Sequence, residues 1–261
     1  SQKVPYRLSC TATPSPNDFD ELGNQCEFLG VMTRTEMLAT YFVNDTGDTG
    51  TWRLKGWGAS KFWEWMGTWA VVLRNPSDLG FDGSKYVLPE PKYFEHVVQT
   101  ELIGDELFAR PALSMLERRK AQRDSIEARC KALADVVNAD TSEPWLIWTH
   151  LNDEAEMLAS LIPGAVNVQG SDSPESKTRN MMAFTHGELR VLISKPKICG
   201  YGMNWQHCAR MAFVGLDDSF EKFYQAVRRC FRFGQKRNVH VHVFTAENEG
   251  QILANLKRKE V

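Results

Sequence analysis

The sequence lacks several features that would point at once to a function. Its six cysteines are scattered, and none has the C-x-x-C or Cys/His spacing that a structural zinc site requires. We therefore expect no metal site and interpret the cysteines as reduced, buried thiols. The nucleotide-binding pattern G-x-x-x-x-G-K-S/T does not occur in the 261 residues, so no P-loop is predicted within them.

The chain also has little excess charge and no long apolar run. A formal charge of -2 and a pI near 6.3 argue against binding of nucleic acid by overall positive charge, so any site for a polyanion has to be a local patch. The most apolar run, residues 62–73, contains Glu64 and is shorter than the roughly 20 residues that span a bilayer. No signal peptide begins the chain. We expect a cytoplasmic protein that makes no contact with a membrane.

One local basic patch is present, in the stretch QAVRRCFRFGQ at residues 225–235. Arg229 and Arg232 are three positions apart, so on a helix they lie on one face and can converge on one anion, whereas Arg228 points elsewhere. Arginine keeps its charge at any relevant pH and offers phosphate oxygens a planar fork of donors. A solvated basic face is the alternative. The apolar residues between the arginines favour a partly buried helix whose charges need a partner.

From about residue 145 onward, short apolar runs alternate with amphipathic stretches, as in α/β proteins. Five runs are predicted as buried strands, at residues 145–149, 165–169, 189–194, 209–216 and 239–244. Helices are predicted from Asn152 or Asp153, from Pro174 with Met181, Met182 and Phe184 facing inward, from Ser219 to about Phe231, and from about Glu249. The alternation predicts a doubly wound parallel sheet with helices on both faces, of the RecA-like or Rossmann-like class.

The first 144 residues are less regular and rich in α-helical pattern. A strand is predicted within residues 7–17, a helix over 20–29 and a loop over 44–60. A long helix over 108–137 has many basic residues, which we interpret as a solvated face, with a phosphate-facing one as the alternative. In a tryptophan-rich region, helical spacing connects Phe62, Trp65, Met66 and Trp69. This spacing favours core packing for most of these aromatics over a platform for stacking nucleobases.

Residues suited to chemistry follow three of the predicted strands, at 150–153, 194–205 and 217–219. Ligands of doubly wound sheets bind at the carboxyl ends of the strands. In the middle segment, SKPKICGYGMNW, lysines and a glycine-rich turn suit phosphate, because glycine lets the backbone approach closely and its free amides are donors. An ordinary turn is the alternative interpretation of the same residues.

Six segments together resemble the C-terminal half of a superfamily 2 helicase or translocase of the Swi/Snf-like type, and especially the DEAD-like helicases encoded by phages and prophages. They are LSCTATPSPNDFDEL at 8–22 (motif III), YVLPEPKYFEHVV at 86–98 (entry into the second lobe), WLIWTHLNDEAEML at 145–158 (motif IV), VQGSDSPESKTRNMMAF at 168–184, VLISKPKICGYGMNWQHC at 191–208 (motif V) and QAVRRCFRFGQ (motif VI). Their order and intervals make the resemblance specific. Two departures are Arg228, where many relatives have Gly or Asp, and Lys195-Pro196 at the start of motif V.

The resemblance implies a domain organisation and a function. Residues 1–43 would be a remnant of the first helicase lobe, 44–107 a tryptophan-rich linker or insertion, and 108–261 the C-terminal RecA-like lobe. The implied function is the second-lobe part of an ATP-dependent DNA helicase or translocase. ATP with Mg²⁺ would bind between the lobes, held mainly by an N-terminal RecA-like lobe missing from this chain. We therefore expect this chain alone to be inactive as an ATP hydrolase.

The resemblance also implies roles for individual residues. Arg229 and Arg232 are the motif VI arginines, with Arg232 as the arginine finger on the γ-phosphoryl group, and Gln225 holds the nucleotide or connects the lobes. Gly200, Gly202 and Asn204 join motif V to the nucleotide pocket. Contacts to the nucleic-acid backbone are assigned to Thr149, His150, Gly170, Ser171, Arg179, Ser194, Lys195 and Lys197. Coupling between nucleotide and nucleic acid is assigned to Thr11 and Thr13.

Two other functions remain open from the residues. The first is a non-catalytic module in which a helicase-like lobe binds nucleic acid or protein. The second is a Rossmann-type enzyme, which requires G-x-G-x-x-G after the first strand of the fold. Its G-x-G candidate, Gly200-Tyr201-Gly202, follows a middle strand and lacks the third glycine, so this alternative is poor.

Overall fold

A computed structural model describes residues 4–44, 52–99, 123–200, 202–216 and 219–246. The chain divides into two compact units, one ending at Gly83 and the other beginning at Ser84. This division differs from the boundaries predicted after residues 43 and 107, whose functional meaning stays a prediction. The start of the helix predicted over 108–137 and the helix predicted from about Glu249 lie outside the described residues.

The first unit contains short helices and one small antiparallel sheet. Its helices are α1 (Leu22–Leu29), α2 (Arg34–Tyr41) and α3 (Ala59–Met66), its strands are β1 (Phe42–Asn44) and β2 (Trp52–Leu54), and 3-10 turns span Phe19–Glu21, Gly56–Gly58 and Pro76–Leu79. The helix predicted over 20–29 is confirmed. The strand predicted within 7–17 is wrong, because this segment, which contains two prolines, is irregular. The loop predicted over 44–60 is wrong where β2 pairs with β1.

The core of the first unit is built on one face of α3. Phe62 and Met66 are buried there with residues of α1, α2 and β1, and Trp65 and Trp69 pack against them. Core packing is thus confirmed for the residues at helical spacing. Trp57 instead is 78% exposed, so the prediction does not extend to every tryptophan of the region.

The second unit is built on a six-stranded sheet in the order β3-β8-β7-β4-β6-β5, in which every neighbouring pair is parallel. Its strands are β3 (Lys92–Val98), β4 (Trp145–Thr149), β5 (Val166–Val168), β6 (Val191–Ser194), β7 (Arg210–Val214) and β8 (His240–Ala246). Its helices are α4 (Ile126–Ala139), α5 (Asn152–Leu161), α6 (Pro174–Thr185), α7 (Pro196–Cys199) and α8 (Phe220–Val227), and a 3-10 turn spans Ser84–Tyr86.

Five of these strands confirm the predicted ones, and β3 was missed. β4, β6 and β7 are nearly continuous apolar runs because helices cover both faces of the sheet, whereas Asn167 interrupts β5 and two histidines interrupt β8. In β4, Trp145 and Ile147 pack towards α4 and α5, while Leu146 and Trp148 pack towards α6 and α8. β3 lies at the edge, where its exposed polar positions break the apolar run that marks the other strands.

Two helices differ in detail from their predictions. Phe184 of α6 is buried as predicted and Met181 is partly buried, but Met182 is 39% exposed, so its inward orientation is wrong. Helix α8 ends at Val227, four residues before the predicted end at Phe231, and the chain continues as a series of turns.

A row of stacked rings joins β3 to β8. His96 Nε2 lies 3.0 Å from His242 Nδ1, and the rings of His96 and Phe244 are parallel with centroids 4.3 Å apart. Burial lowers the pKa of His242 to about 4, with a further contribution from the neighbouring His96 and His240. Burial also lowers the pKa of His96. The paired strands therefore favour neutral histidines.

We predict that acid weakens the second unit through these rings. Between pH ~6.5 and about 4 the unfolded chain binds a proton at His242 that the folded chain does not, so the free energy of unfolding falls as the pH falls. Allowing for solvent screening, we expect a loss of roughly 1–2 kcal/mol. Urea unfolding at several pH values measures it. His242→Phe keeps a stacked ring and should make the free energy of unfolding depend less on pH. The same pH dependence in this variant as in the unsubstituted chain would contradict the prediction.

Candidate functional site

A cleft of about 210 Å³ opens at the carboxyl ends of β4, β6 and β7. Four residues predicted to bind the nucleic-acid backbone line it together: Thr149, His150, Lys195 and Lys197. They come from two segments about 45 residues apart in sequence, which the parallel pairing of β4 with β6 brings side by side. Ser219 and Lys222, at the start of α8, line the same cleft; Ser219 belongs to the segment predicted to follow a strand at 217–219, whereas Lys222 was not predicted.

The cleft has an apolar floor and a basic rim. Trp148, Phe213 and Phe223 form the floor and are buried in the core between the sheet and its helices. Lys197 and Lys222 are exposed, and Lys195 is half-buried. Because the floor rings are packed in the core, they offer no open face on which a nucleobase could stack. The charged groups of the rim are ammonium groups, which suit an anion.

Two buried polar atoms of the cleft residues lack partners. Within the described residues, neither Trp148 Nε1 nor Thr149 Oγ1 has a hydrogen-bond partner, and both side chains are almost fully buried. A buried polar group without a partner costs about 1–3 kcal/mol, so such groups are few in native structures. Oxygen atoms of a ligand are acceptors of the kind that an indole N–H and a hydroxyl group both bind.

A buried ion pair holds the turn that follows β4. Arg129 Nη1 of α4 lies 2.9 Å from Glu154 Oε1 of α5, and both side chains are fully buried. The other carboxylate oxygen accepts hydrogen bonds from the backbone N–H groups of His150 and Leu151, each at 2.8 Å. Arg129 Nε in turn donates to Ser125 Oγ at 2.9 Å. The ion pair therefore fixes the backbone that presents His150 to the cleft.

The same carboxylate also fixes the end of β7. Gly215 has a φ of 69°, in the left-handed region, and a Cβ atom there would lie 2.6 Å from Glu154 Oε1 and 3.1 Å from Arg129 Nη1. A side chain at this position would thus be strained in the backbone and would collide with the ion pair. The basic residues of the predicted helix over 108–137, which include Arg129, were interpreted as a solvated face, so this ion pair was missed. The signal that could have pointed to its partner is Glu154, an acidic residue in the first turn of α5 that caps the helix.

The other predicted nucleic-acid residues lie outside the cleft. Gly170 and Ser171 follow β5 at the same edge of the sheet and are exposed, as is Arg179 of α6. Lys177 Nζ donates a hydrogen bond to the carbonyl oxygen of Gly170 at 2.6 Å. Ser194 is buried, and its hydroxyl donates to the carbonyl oxygen of Val168 at 2.8 Å, which joins β5 to β6.

The two motif VI arginines converge on one backbone carbonyl. Nη1 of Arg229 lies 3.0 Å from Met203 O, and Nη1 of Arg232 lies 3.1 Å from the same atom. Arg229 is buried, and its other guanidinium nitrogens donate to the backbone and side-chain oxygens of Gln225. Because α8 ends at Val227, the convergence arises from the turns that follow the helix and not from one helical face.

The predicted cofactor residues surround this carbonyl or support it. Gly202 and Asn204 flank Met203 and are exposed. Gly200 is buried, and a Cβ atom there would lie 2.1 Å from the carbonyl oxygen of Pro196, so this glycine permits a close backbone approach. Arg228 points away, as predicted, and lies over the rings of Tyr224 and Phe231 at 4.9 and 4.8 Å from their centroids.

The predicted coupling residues belong to the first unit. Thr13 is buried, and its backbone N–H donates to Thr11 Oγ1 at 3.0 Å. Their coupling role stays a prediction. Among the described residues, no group of three or more His, Cys, Asp or Glu side chains could hold a metal ion. No described helix is long and apolar enough to cross a membrane.

Comparison with known proteins finds a family match within the second unit. Residues 128–234 match the helicase conserved C-terminal domain. This matched segment contains the cleft, the buried ion pair and both converging arginines. Its parallel sheet with helices on both faces has the RecA-like arrangement that the sequence predicted.

Two relatives are similar to this chain at low identity. Protein p41 of Acyrthosiphon pisum secondary endosymbiont phage 1 is 23% identical over 128 residues, which are 47% of this chain and 26% of p41. The ATP-dependent DNA helicase Q4 of Homo sapiens is 28% identical over 131 residues, which are 43% of this chain and 10% of that helicase. The chain therefore spans a minor part of the length of either relative.

Solved structures similar to this chain include helicase and ATPase domains. The C-terminal part of the Fun30 ATPase domain has a TM-score of 0.45 at 17% identity, and the match covers 49% of this chain and 45% of the Fun30 chain. The RNA-helicase Prp28 from Chaetomium thermophilum has a TM-score of 0.47 at 13% identity, and the match covers 65% of this chain and 36% of the Prp28 chain. Dbp5 of S. cerevisiae bound to RNA and ADP BeF3 has a TM-score of 0.49 at 13% identity, and the match covers 67% of this chain and 40% of the Dbp5 chain.

We predict that Glu154→Gln strongly destabilises the second unit. The substitution removes one partner of the buried Arg129–Glu154 ion pair, which typically costs about 3–5 kcal/mol. Chemical unfolding measures the loss. The matched control is Glu127→Gln, which removes the carboxylate from the exposed Glu127–Lys131 pair of α4 and should leave the free energy of unfolding almost unchanged. Equal stability of the two variants would contradict the prediction.

Proposed function

We propose that this chain supplies the second RecA-like lobe of an ATP-dependent DNA helicase or translocase. The observation that carries the proposal is the cleft, in which residues of motifs IV and V with the predicted nucleic-acid role lie together around a basic rim. In this proposal Thr149, His150, Lys195 and Lys197 bind the phosphate backbone of one tracked strand. The match to the helicase conserved C-terminal domain supports this assignment.

The chemistry of the rim favours backbone contacts over reading of bases. Lysine ammonium groups bind phosphate as point charges and carry no information about sequence. The buried floor leaves no aromatic face for a base. A translocating protein needs contacts of this kind, because it has to bind every sequence along which it moves. Gly170, Ser171 and Arg179, at the same edge of the sheet, would extend these contacts along the strand.

The converging arginines have different proposed roles. Arg229 is buried and donates to Gln225 and Met203, so its guanidinium positions the segment that contains Gly202 and Asn204. Arg232 is only half-buried, and a single side-chain hydrogen bond, to Met203 O, holds it among the described residues. To bind a γ-phosphate oxygen, the Arg232 guanidinium would have to give up only its hydrogen bond to Met203 O. We therefore assign the arginine finger to Arg232.

In the proposed enzyme the nucleotide-binding site is completed by residues outside these 261. No P-loop pattern occurs in the sequence, so a first lobe would hold most of the ATP and its Mg²⁺, which would neutralise charge between the β- and γ-phosphates. Helicase Q4 is described as a DNA helicase, and p41 belongs to a phage. These relatives support DNA as the substrate and a phage or prophage origin for this chain. We also propose a cytoplasmic location. Ser194, being engaged with Val168, would support motif V from inside.

A non-catalytic binding module is the second candidate. The cleft is compatible with such a module, because its lining contains none of the residues of motif VI. The two candidates share the cleft and differ in the arginines. Only the enzyme requires Arg232 for turnover.

We predict that the double substitution Lys195→Ala, Lys197→Ala weakens DNA binding by the present chain. Loss of two phosphate contacts should lower the slope of log affinity against log salt by about 1.4 on single strands and about 1.8 on duplex. Fluorescence anisotropy at several salt concentrations measures the slope. The control, Lys92→Ala with Lys236→Ala, removes the same charge near the amino ends of the strands. Identical slopes for the two double variants would refute the cleft as the binding site.

We also predict that Arg232→Ala abolishes hydrolysis in a protein that contains both lobes. An arginine finger contributes about 10³–10⁵ to turnover, whereas ATP held mainly by the first lobe should still bind. Steady-state ATPase assays and nucleotide titration separate these effects. Arg228→Ala is the control, because that guanidinium lies over two rings and away from Met203. Turnover by Arg232→Ala equal to that of Arg228→Ala would reassign the arginine finger to another residue, and no turnover by the unsubstituted two-lobe protein would favour the non-catalytic module.

A further inference from the structure

We propose that Trp57, in the first unit, is a stacking site for an unpaired base of a single-stranded nucleic acid. The tryptophan-rich region was predicted to pack mainly as core, with a platform for nucleobases as the alternative, and Trp57 is the most exposed of the eight tryptophans. This inference rests on the proposed function, because it takes nucleic acid as the ligand. It adds a contact to the bases, whereas the cleft is proposed to contact only the backbone.

The exposure of Trp57 is the first argument. Trp57 is 78% exposed, whereas Trp65 and Trp69 of the same region pack against the core of the first unit. It lies in the 3-10 turn between Gly56 and Gly58, so its neighbours in sequence have no side chain that could cover the ring. A buried indole contributes more to a core than most side chains, because of its large apolar area. Trp57 contributes little to the core, and its ring is open to a ligand.

Lys55 holds the exposed ring from one side. Its Nζ atom lies over the ring of Trp57, 5.7 Å from the centroid, at a distance that allows a cation–π interaction. The same ammonium group donates hydrogen bonds to the carbonyl oxygens of Ala39 and Thr40, at 2.9 and 2.8 Å, near the end of α2. Because the cation is anchored, it restrains the ring and leaves the opposite face to solvent. A restrained ring loses less conformational entropy when a ligand stacks on it.

The charge around Trp57 indicates the class of ligand. Residues 52–63 contain three basic side chains and no carboxylate, and two of these side chains, Arg53 and Lys61, are exposed. The neighbours of Arg53 in β2 pack against the core, so the alternation of the strand directs Arg53 away from it. An aromatic face with basic side chains nearby is the arrangement on which proteins bind single strands without sequence preference. These charges favour a polyanion over an apolar segment of another protein.

The strand that stacks on Trp57 has to be single. In a duplex both faces of each internal base are covered by neighbouring base pairs, so a side chain can stack only on an unpaired base. The aromatic residues of the cleft are buried and offer no such face. Trp57 would therefore give the chain a preference for single strands that phosphate contacts alone do not provide.

The test is binding of the full 261-residue chain to two fluorescein-labelled oligonucleotides of equal length, a single strand of thymidines and the same backbone without bases. Trp57→Ala should weaken binding to the thymidine strand about fivefold or more, the effect of losing one stacked base, without changing the salt slope. Its binding to the abasic strand should stay unchanged. Trp57→Phe keeps an aromatic ring and should lose less affinity than Trp57→Ala.

The matched control is Phe81→Ala. Phe81 is 68% exposed and belongs to the same unit, but in sequence it stands between Asp78 and Asp82. This variant should bind both oligonucleotides as the unsubstituted chain does. Thermal unfolding followed by circular dichroism should be the same for Trp57→Ala and the unsubstituted chain, since the exposed ring contributes little to the core.

The outcomes separate the inference from the proposed function. If the Lys195→Ala, Lys197→Ala double variant loses affinity for the thymidine strand and Trp57→Ala does not, the stacking site is overturned and the cleft stands. Equal losses by Trp57→Ala on both oligonucleotides would mean that no base is contacted, which also overturns the site. Loss by Trp57→Ala on the thymidine strand only, with the lysine variant unaffected, supports the site and refutes the cleft. If the unsubstituted chain binds neither oligonucleotide, the proposed function fails and the inference fails with it.

Discussion

The buried ion pair between Arg129 and Glu154 is the interaction on which the candidate site depends. Its carboxylate accepts hydrogen bonds from the turn after β4 and leaves room only for glycine at the end of β7. Two strand ends that line the cleft are thereby held by one charged group in the interior. Such a pair brings little net stability compared with apolar packing, but loss of one partner is costly. Its value here is geometric, because it fixes the backbone around His150.

A second constraint connects the cleft with the arginines. Helix α8 begins at Phe220, its Lys222 lines the cleft, and Arg229 and Arg232, in the turns after its end, converge on the carbonyl oxygen of Met203. Helix α8 follows β7 in the sequence, and its apolar residues pack against the sheet. A proposed DNA site and a proposed nucleotide site therefore share one packed element. Packed elements move as units, which gives the proposed coupling a physical basis.

Much of the site was predictable because its residues are adjacent in sequence to buried strands. An apolar run followed by polar residues marks a strand end, and parallel strands bring such ends together, as for His150 and Lys195. Lys222 was missed because an exposed lysine in a helix has no distinctive pattern. Arg129 was misread because the sequence does not show which residues of a helix find a buried partner 25 positions away.

By itself, the sequence determined the parallel α/β architecture, five of the six strands and the identity of the basic patch, since each depends on local pattern and composition. The tertiary structure decided which residues share the cleft, that β3 completes the sheet, and that the arginines meet at Met203 after the helix has ended. These outcomes depend on contacts between distant segments. Their energies come from burial and charge pairing, which no local pattern records.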